Sequence, residues 1–192
     1  MKIKERIYRA VESMETDGRT IRGVAVVTNS WSKDLGGFRE MIKPEALTDD
    51  LIKKSDIMLN VDHDPSKILA RSRYGKGSLR VFKTARGLEF ETTAPNTTLG
   101  NDMIEMLKRG DYSQCSFCFT LPKDESCQRW YNNANGELCR EISQFDRLYD
   151  VSVVYDPAYD ATYVDARSAQ MVELNKKLND LEKLIHEIFP YD

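Results

Sequence analysis

The chain has 192 residues, of which 41% are hydrophobic and 31% charged, and a formal net charge of −3. That length suits one domain with a short appendage, and the composition excludes a globally disordered chain. The small negative charge offers no footprint for nucleic acid, and no stretch reaches the roughly 18 consecutive apolar residues of a membrane span.

The N-terminal MKIKERIYRAVESMETDGRT is charged without the apolar run of a signal peptide. The expectation is a cytoplasmic protein with no nucleic-acid or membrane partner, whose four cysteines are thiols. Asp17-Gly18 marks a turn, and the β-branched run Ile21 to Thr28 predicts a buried strand. Asn29 to Gly37 is a polar loop. Pro44 to Lys53 predicts a short helix with Pro44 in its first turn, and Ile57 to Val61 is again strand-like. Ile68 to Tyr74, Leu79 to Thr84 and Leu88 to Thr93, separated by glycine-containing turns, predict an antiparallel meander.

A helix follows, capped by Thr97 or Thr98 and stopped at Gly110, with Met103, Ile104, Met106 and Leu107 as its apolar face. Strands are expected near Ser113 to Leu121 and Phe145 to Tyr155, with the polar insert Pro122 to Gly136 between them as a mobile loop or an extended hairpin. Ser168 to Ile188 lacks Gly and Pro. Met171, Leu174, Leu178, Leu181, Ile185 and Ile188 recur there at spacings of three and four, the seam of an amphipathic helix suited to association or to covering its own core. The architecture predicted is α+β and β-rich: a partly closed antiparallel β-barrel with peripheral helices over residues 1–167, then a C-terminal amphipathic helical tail over residues 168–192.

Two histidines limit the choice of general base. His186 falls in the charged C-terminal segment, where a solvated side chain is the plain reading. His63, in LNVDHDPS, follows a strand and precedes a Pro turn; imidazole is the usual base for a serine nucleophile because it titrates near neutrality. His63 can equally be a hydrogen-bonding turn residue between Asp62 and Asp64. In DYSQCSFCFTL, strand alternation puts Cys115, Phe117 and Phe119 on one face and Gln114, Ser116 and Cys118 on the other. Ser116 is therefore either a cleft residue or an ordinary strand serine. Asp150 opens DVSVVYDPAYDA and shares a face with Ser152 and Val154, where it can orient an imidazole, pair with Arg147 or cap a turn; Asp146 competes for the same role.

Cys115 and Cys118 are spaced as Cys-x-x-Cys but fall on opposite faces of one strand, and Cys127 and Cys139 have no close partner of the spacing a zinc site uses. A thiol nucleophile at Cys115 or Cys118 would need a lowered pKa. No metal and no cofactor is expected.

Taken together, GVAVVTNSW with FREMIKPEAL, then MLNVDHDPSKILARS, then DMIEMLKRGDYSQCSFCF, then LYDVSVVYDPAYDATYVDAR resemble, in order and spacing, the prohead maturation proteases of tailed phages. The resemblance covers about Ile21 to Arg167. It implies a serine endopeptidase with the fold of herpesvirus assembly proteases. His63 matches the family's histidine, Ser116 its serine and Asp150 its acidic position, where Glu is frequent. Cys118 departs from the glycine usual before the Phe. The resemblance further implies scaffold segments and the major capsid protein as substrates inside an assembling procapsid in the host cytoplasm, with self-cleavage. The rival expectation is an inactive assembly module acting through its C-terminal helix. The turn Asp156 to Asp160 is the expected source of oxyanion donors.

Overall fold

A computed structural model describes residues 7–12 and 14–155. In chain order these form β1 (Ile7–Glu12), β2 (Met14–Asp17), β3 (Thr20–Val27), β4 (Phe38–Ile42), α1 (Asp49–Lys54), β5 (Asp56–Val61), β6 (Asp64–Arg73), β7 (Lys76–Gly77), β8 (Arg80–Lys83), β9 (Gly87–Thr93), α2 (Thr98–Arg109), β10 (Gln114–Thr120), β11 (Gln128–Asn132), β12 (Leu138–Ile142) and β13 (Arg147–Val154). The expected C-terminal helix, and with it the seam from Met171 to Ile188, lies outside the described residues.

The strands make three sheets: a six-stranded one in the order β1-β10-β13-β5-β6-β7, a four-stranded one in the order β2-β3-β9-β8, and a three-stranded one in the order β11-β12-β4. The β-rich α+β class holds. A wholly antiparallel arrangement does not, because two pairs, β13 with β5 and β12 with β4, are parallel; among the described residues no sheet closes on itself, so the partly closed barrel is not borne out there. Parallel neighbours need a long crossover, and here β6 to β12 intervene between β5 and β13. Alternation within a strand carries no information about the direction of its partner.

The expected meander is also corrected. β6 stays in the six-stranded sheet with β5 and β7, while β8 and β9 form a hairpin in the four-stranded one. The chain changes sheet at Ser78 and Leu79. The Leu79 N–H donates to the Arg71 carbonyl at 3.1 Å and the Arg71 N–H to Ser78 Oγ at 3.2 Å, and Leu79 is buried. The helix expected over Pro44 to Lys53 splits into a 3-10 turn, Pro44–Ala46, and α1, because the Thr48 hydroxyl caps a new start by accepting from the Leu51 N–H at 3.1 Å. The polar insert is the hairpin β11–β12.

α2 is capped by Thr97, whose hydroxyl accepts from the Gly100 N–H, and stopped by Gly110 at φ 80°, a left-handed conformation that glycine adopts without penalty. Met103 and Ile104 are buried and Leu107 packs beside them, but Met106, expected on the same face, is exposed. The core runs between the six- and four-stranded sheets, from Ile21, Ala25, Val26, Leu88 and Phe90 to Ile57, Leu59, Val61, Phe117, Phe119, Val151 and Val153. The sheets approach closely at Gly23, where a Cβ would lie 2.7 Å from the Phe90 ring of the neighbouring strand and 3.0 Å from Cys115 Sγ of the six-stranded sheet. Phe119 lies 4.3 Å, centroid to centroid, from Phe145 and 5.4 Å from Phe117. Burying each ring stabilises the fold by about 1.5–3 kcal/mol. The core thus fixes one face of β10, β13 and β5 and leaves the other for polar groups.

Candidate active site

In the six-stranded sheet, Ser116 is the register partner of Ser152, and Ser152 that of Asn60; one step along, Cys118 pairs with Asp150 and Asp150 with Met58. Neighbours in register share a face. Ser116, Cys118, Asp150, Ser152 and Asn60 therefore stand together on the side opposite Phe117, Val151 and Leu59. The faces assigned to Ser116 and Asp150 by alternation are the ones they occupy.

His63 arrives by another route. Val61 pairs with Asp64, so Asp62 and His63 are the two central residues of a tight hairpin turn between β5 and β6, with φ of 51° and 56°. Positive φ at both positions is the mark of a type I′ turn, whose twist suits the flanking strands. Asp and His are among the non-glycine residues that tolerate it best. The His63 Nδ1 lies 2.6 Å from Asp150 Oδ1, and its Nε2 lies 2.6 Å from Ser116 Oγ. A carboxylate oxygen can only accept, which places the ring proton on Nδ1. Nε2 then presents its lone pair to the Ser116 hydroxyl. The His63 side chain is 15% exposed and that of Asp150 6%; Ser116 is buried.

The competing acidic candidate sits elsewhere. Asp146 lies beside Thr120 at the end of the β10–β13 ladder, where its N–H donates to the Thr120 carbonyl at 2.7 Å and its Oδ2 accepts from Thr120 Oγ1 at 3.4 Å. Arg147, the alternative partner for Asp150, donates instead to the Lys54 carbonyl at 3.0 Å. Cys115 points into the core, where burial pushes its thiol far above the usual range, the opposite of what a nucleophile needs. Cys118 is buried next to Asp150 in register, yet the imidazole is bonded to the serine hydroxyl. Among the described residues no group of three or more His, Cys, Asp or Glu is placed to hold a metal ion. The Asp156 to Asp160 turn and His186 lie outside the described residues.

Sequence reasoning passed over three residues that hold the turn. The His63 N–H donates to Ser152 Oγ at 2.7 Å, the Asp62 N–H to the Val153 carbonyl at 2.9 Å, and the Tyr112 hydroxyl to Asp62 Oδ2 at 2.9 Å. Burial first, and then the bond to Asp62, push the Tyr112 phenol up to about 12. Of these, only Ser152 left a signal in the sequence: it stands two residues after Asp150 and so shares its face.

A hydroxyl, an imidazole and a carboxylate bonded in series across one sheet are the arrangement of a serine hydrolase. The chain belongs to the caudovirus prohead serine protease family, which matches residues 6–177. It is a serine protease of phage capsid maturation. No curated protein matches the chain. Among solved structures, it is similar to the bacteriophage T4 capsid assembly protease, gp21, at 9% identity and a TM-score of 0.46 over 81% of this chain and 100% of that one.

Proposed function

We propose that Ser116, His63 and Asp150 are the nucleophile, general base and orienting carboxylate of this protease, and that its substrates are scaffold segments and the major capsid protein inside the assembling procapsid in the host cytoplasm. The observation that carries the assignment is the pair of 2.6 Å contacts that places one imidazole between Asp150 and Ser116. Ser116 Oγ attacks the peptide carbonyl while its proton passes to His63 Nε2. Asp150 keeps the ring proton on Nδ1 and stabilises the imidazolium as it forms. The imidazolium then gives its proton to the leaving amine, and a water repeats the sequence to free the acyl group and restore Ser116. Family membership supports capsid protein as the substrate class. Cleavage of its own chain belongs to the same reading, as does association of copies through the 168–188 seam.

The test is co-expression with the cognate capsid protein, comparing wild type and Ser116→Ala by intact mass. Shortened capsid protein with wild type and full-length capsid protein with a folded Ser116→Ala chain are expected. Equal processing by the two would remove Ser116 from the mechanism. Truncation after Arg167 tests association: a smaller assembly in solution is expected, and an unchanged oligomeric state with lost stability would assign the segment to the fold instead.

A further inference from the structure

The general base sits in the left-handed backbone region, which costs free energy for any residue but glycine. Asp62 and His63 are consecutive non-glycine residues at φ of 51° and 56°, a conformation that persists only where the surroundings over-determine it. On the far side of the turn β6 gives little help. Val61 pairs with Asp64 and Asn60 with Ile68, so Pro65, Ser66 and Lys67 bulge out of the ladder into exposed positions. The restraint on the turn therefore comes from β13 and from Tyr112.

The three bonds there act on different atoms. The Asp62 N–H continues the parallel ladder onto the Val153 carbonyl, and Tyr112 holds the Asp62 carboxylate. Only the bond from His63 N to Ser152 Oγ, at 2.7 Å, acts on the peptide of the base itself. Ser152 has no exposed surface and lies in register between Ser116 and Asn60. Its other contacts, to the carbonyls of Asn60 at 3.4 Å and Val153 at 3.5 Å, are long. The short bond of this buried hydroxyl is thus the one it accepts from His63. Asp150 lies two residues away on the same strand, so Ser152 fixes the histidine's main chain and Asp150 its ring from one rigid element.

We propose that Ser152 is a positioning residue for catalysis: by accepting the His63 N–H, its hydroxyl holds the turn where the imidazole spans Asp150 and Ser116. The inference rests on the reading of His63 as the base. Displacing the ring by about 1 Å is enough to slow the acyl-transfer step by about 10²-fold.

The test uses the full chain and a fluorophosphonate probe, which forms a phosphorus–oxygen bond to an activated serine with loss of fluoride and needs no substrate recognition. Variants are Ser152→Ala, Ser152→Thr and Ser152→Val. Thr and Val crowd the buried position alike and differ in the hydroxyl, so their comparison removes packing from the result. Ser152→Ala and Ser152→Val are expected to label about 10–10²-fold more slowly than wild type, with Ser152→Thr labelling faster than Ser152→Val by a similar factor. The low-field proton resonance of the His63 Nδ1–H is expected in wild type and Ser152→Thr, and to broaden or vanish in Ser152→Ala and Ser152→Val while thermal unfolding stays cooperative. Equal labelling by Thr and Val variants, or wild-type labelling and an unchanged resonance in Ser152→Ala, overturns the proposal. Ser116→Ala and His63→Ala, run alongside, separate the two readings: if either labels like wild type the catalytic assignment fails, whereas if both are silent and the Ser152 variants are unaffected, only the role of Ser152 falls.

Discussion

Replacing Asp150 by Asn removes one charge and keeps the side chain's shape, so its effect can be worked from the geometry. The carboxylate lies 2.6 Å from His63 Nδ1 in a site where its side chain is 6% exposed. Unit charges centred about 4 Å apart attract by about 4 kcal/mol at an effective dielectric constant near 20. A general base can take the serine proton only as the neutral imidazole. The attraction therefore grows only as the serine proton reaches Nε2, and it lowers the barrier instead of tightening substrate binding. If half to all of it is developed in the transition state, its loss costs about 2–4 kcal/mol, or about 30- to 10³-fold in rate. A second loss follows from the amide, whose NH2 can donate to Nδ1 and favour the tautomer with its proton facing Ser116. Asp150→Asn should thus lower kcat by about 10²–10⁴ while KM changes little, because Asp150 stands behind the imidazole. Single-turnover processing of purified capsid protein measures this, with thermal unfolding as the control on folding. Wild-type turnover by Asp150→Asn, or a crippled Asp146→Asn beside it, would transfer the orienting role away from Asp150.

Residues that act as one unit lose activity non-additively, so Ser116→Ala with His63→Ala should be no slower than the slower single variant; a double variant slower by the product of the two single losses would mean that they act independently. Tyr112, pushed up to about 12, holds its proton more tightly in the folded chain than an ordinary tyrosine near 10. The stability this contributes is fully present below about pH 10 and is lost as pH rises through about 12. Tyr112→Phe should therefore be less stable than wild type at pH 8, by about 1.5–3 kcal/mol for a bond to a carboxylate, and the gap should narrow between pH 10 and 12 in urea titrations. A gap independent of pH would contradict the linkage. In the three-stranded sheet, Arg140 and Glu40 form a buried pair at 3.0 Å, with side chains 4% and 2% exposed. Arg140→Leu should cost about 3–5 kcal/mol by leaving the Glu40 carboxylate buried without its guanidinium, and Glu40→Leu added to it should restore most of that. A double variant as unstable as the sum of the singles would show no coupling between the two side chains and would refute the pair.

The pattern of side chains within a regular stretch of strand was legible in advance, and the pairing of strands was not. Alternation put Ser116 on the face opposite Phe117 and Phe119, and a small β-branched run gave β3, because both signals are local to a strand. His63 could be singled out as a base but not aimed. What aims it is a two-residue turn of left-handed residues, and Asp-His carries none of the Asn-Gly signature of such a turn. The parallel pairing of β13 with β5, which brings Asp150 and Ser152 beneath that turn, joins segments far apart in the chain.

Asp150 shows most directly how pairing decides a function that parity cannot. In a regular strand Leu148, Asp150 and Ser152 would share one face, which would set an apolar residue among the polar ones. The register slips instead: Cys118 pairs with Asp150 but Phe119 pairs with Leu148, so Tyr149 is the extra residue of a β-bulge. On one side of the bulge Leu148 turns inward to pack in the core with Phe119; on the other, Asp150 and Ser152 turn toward His63. The discordant leucine in the even-numbered set was the trace of that bulge in the sequence. The same slip explains why Asp146, an even number of residues before Asp150, does not share its site: it lies beyond both the bulge and the end of the strand, beside Thr120. A deletion of Tyr149 that restored regular pairing would have to turn either Leu148 out of the core or Asp150 away from the imidazole, so the bulge is what lets one strand serve the core and the catalytic face at once.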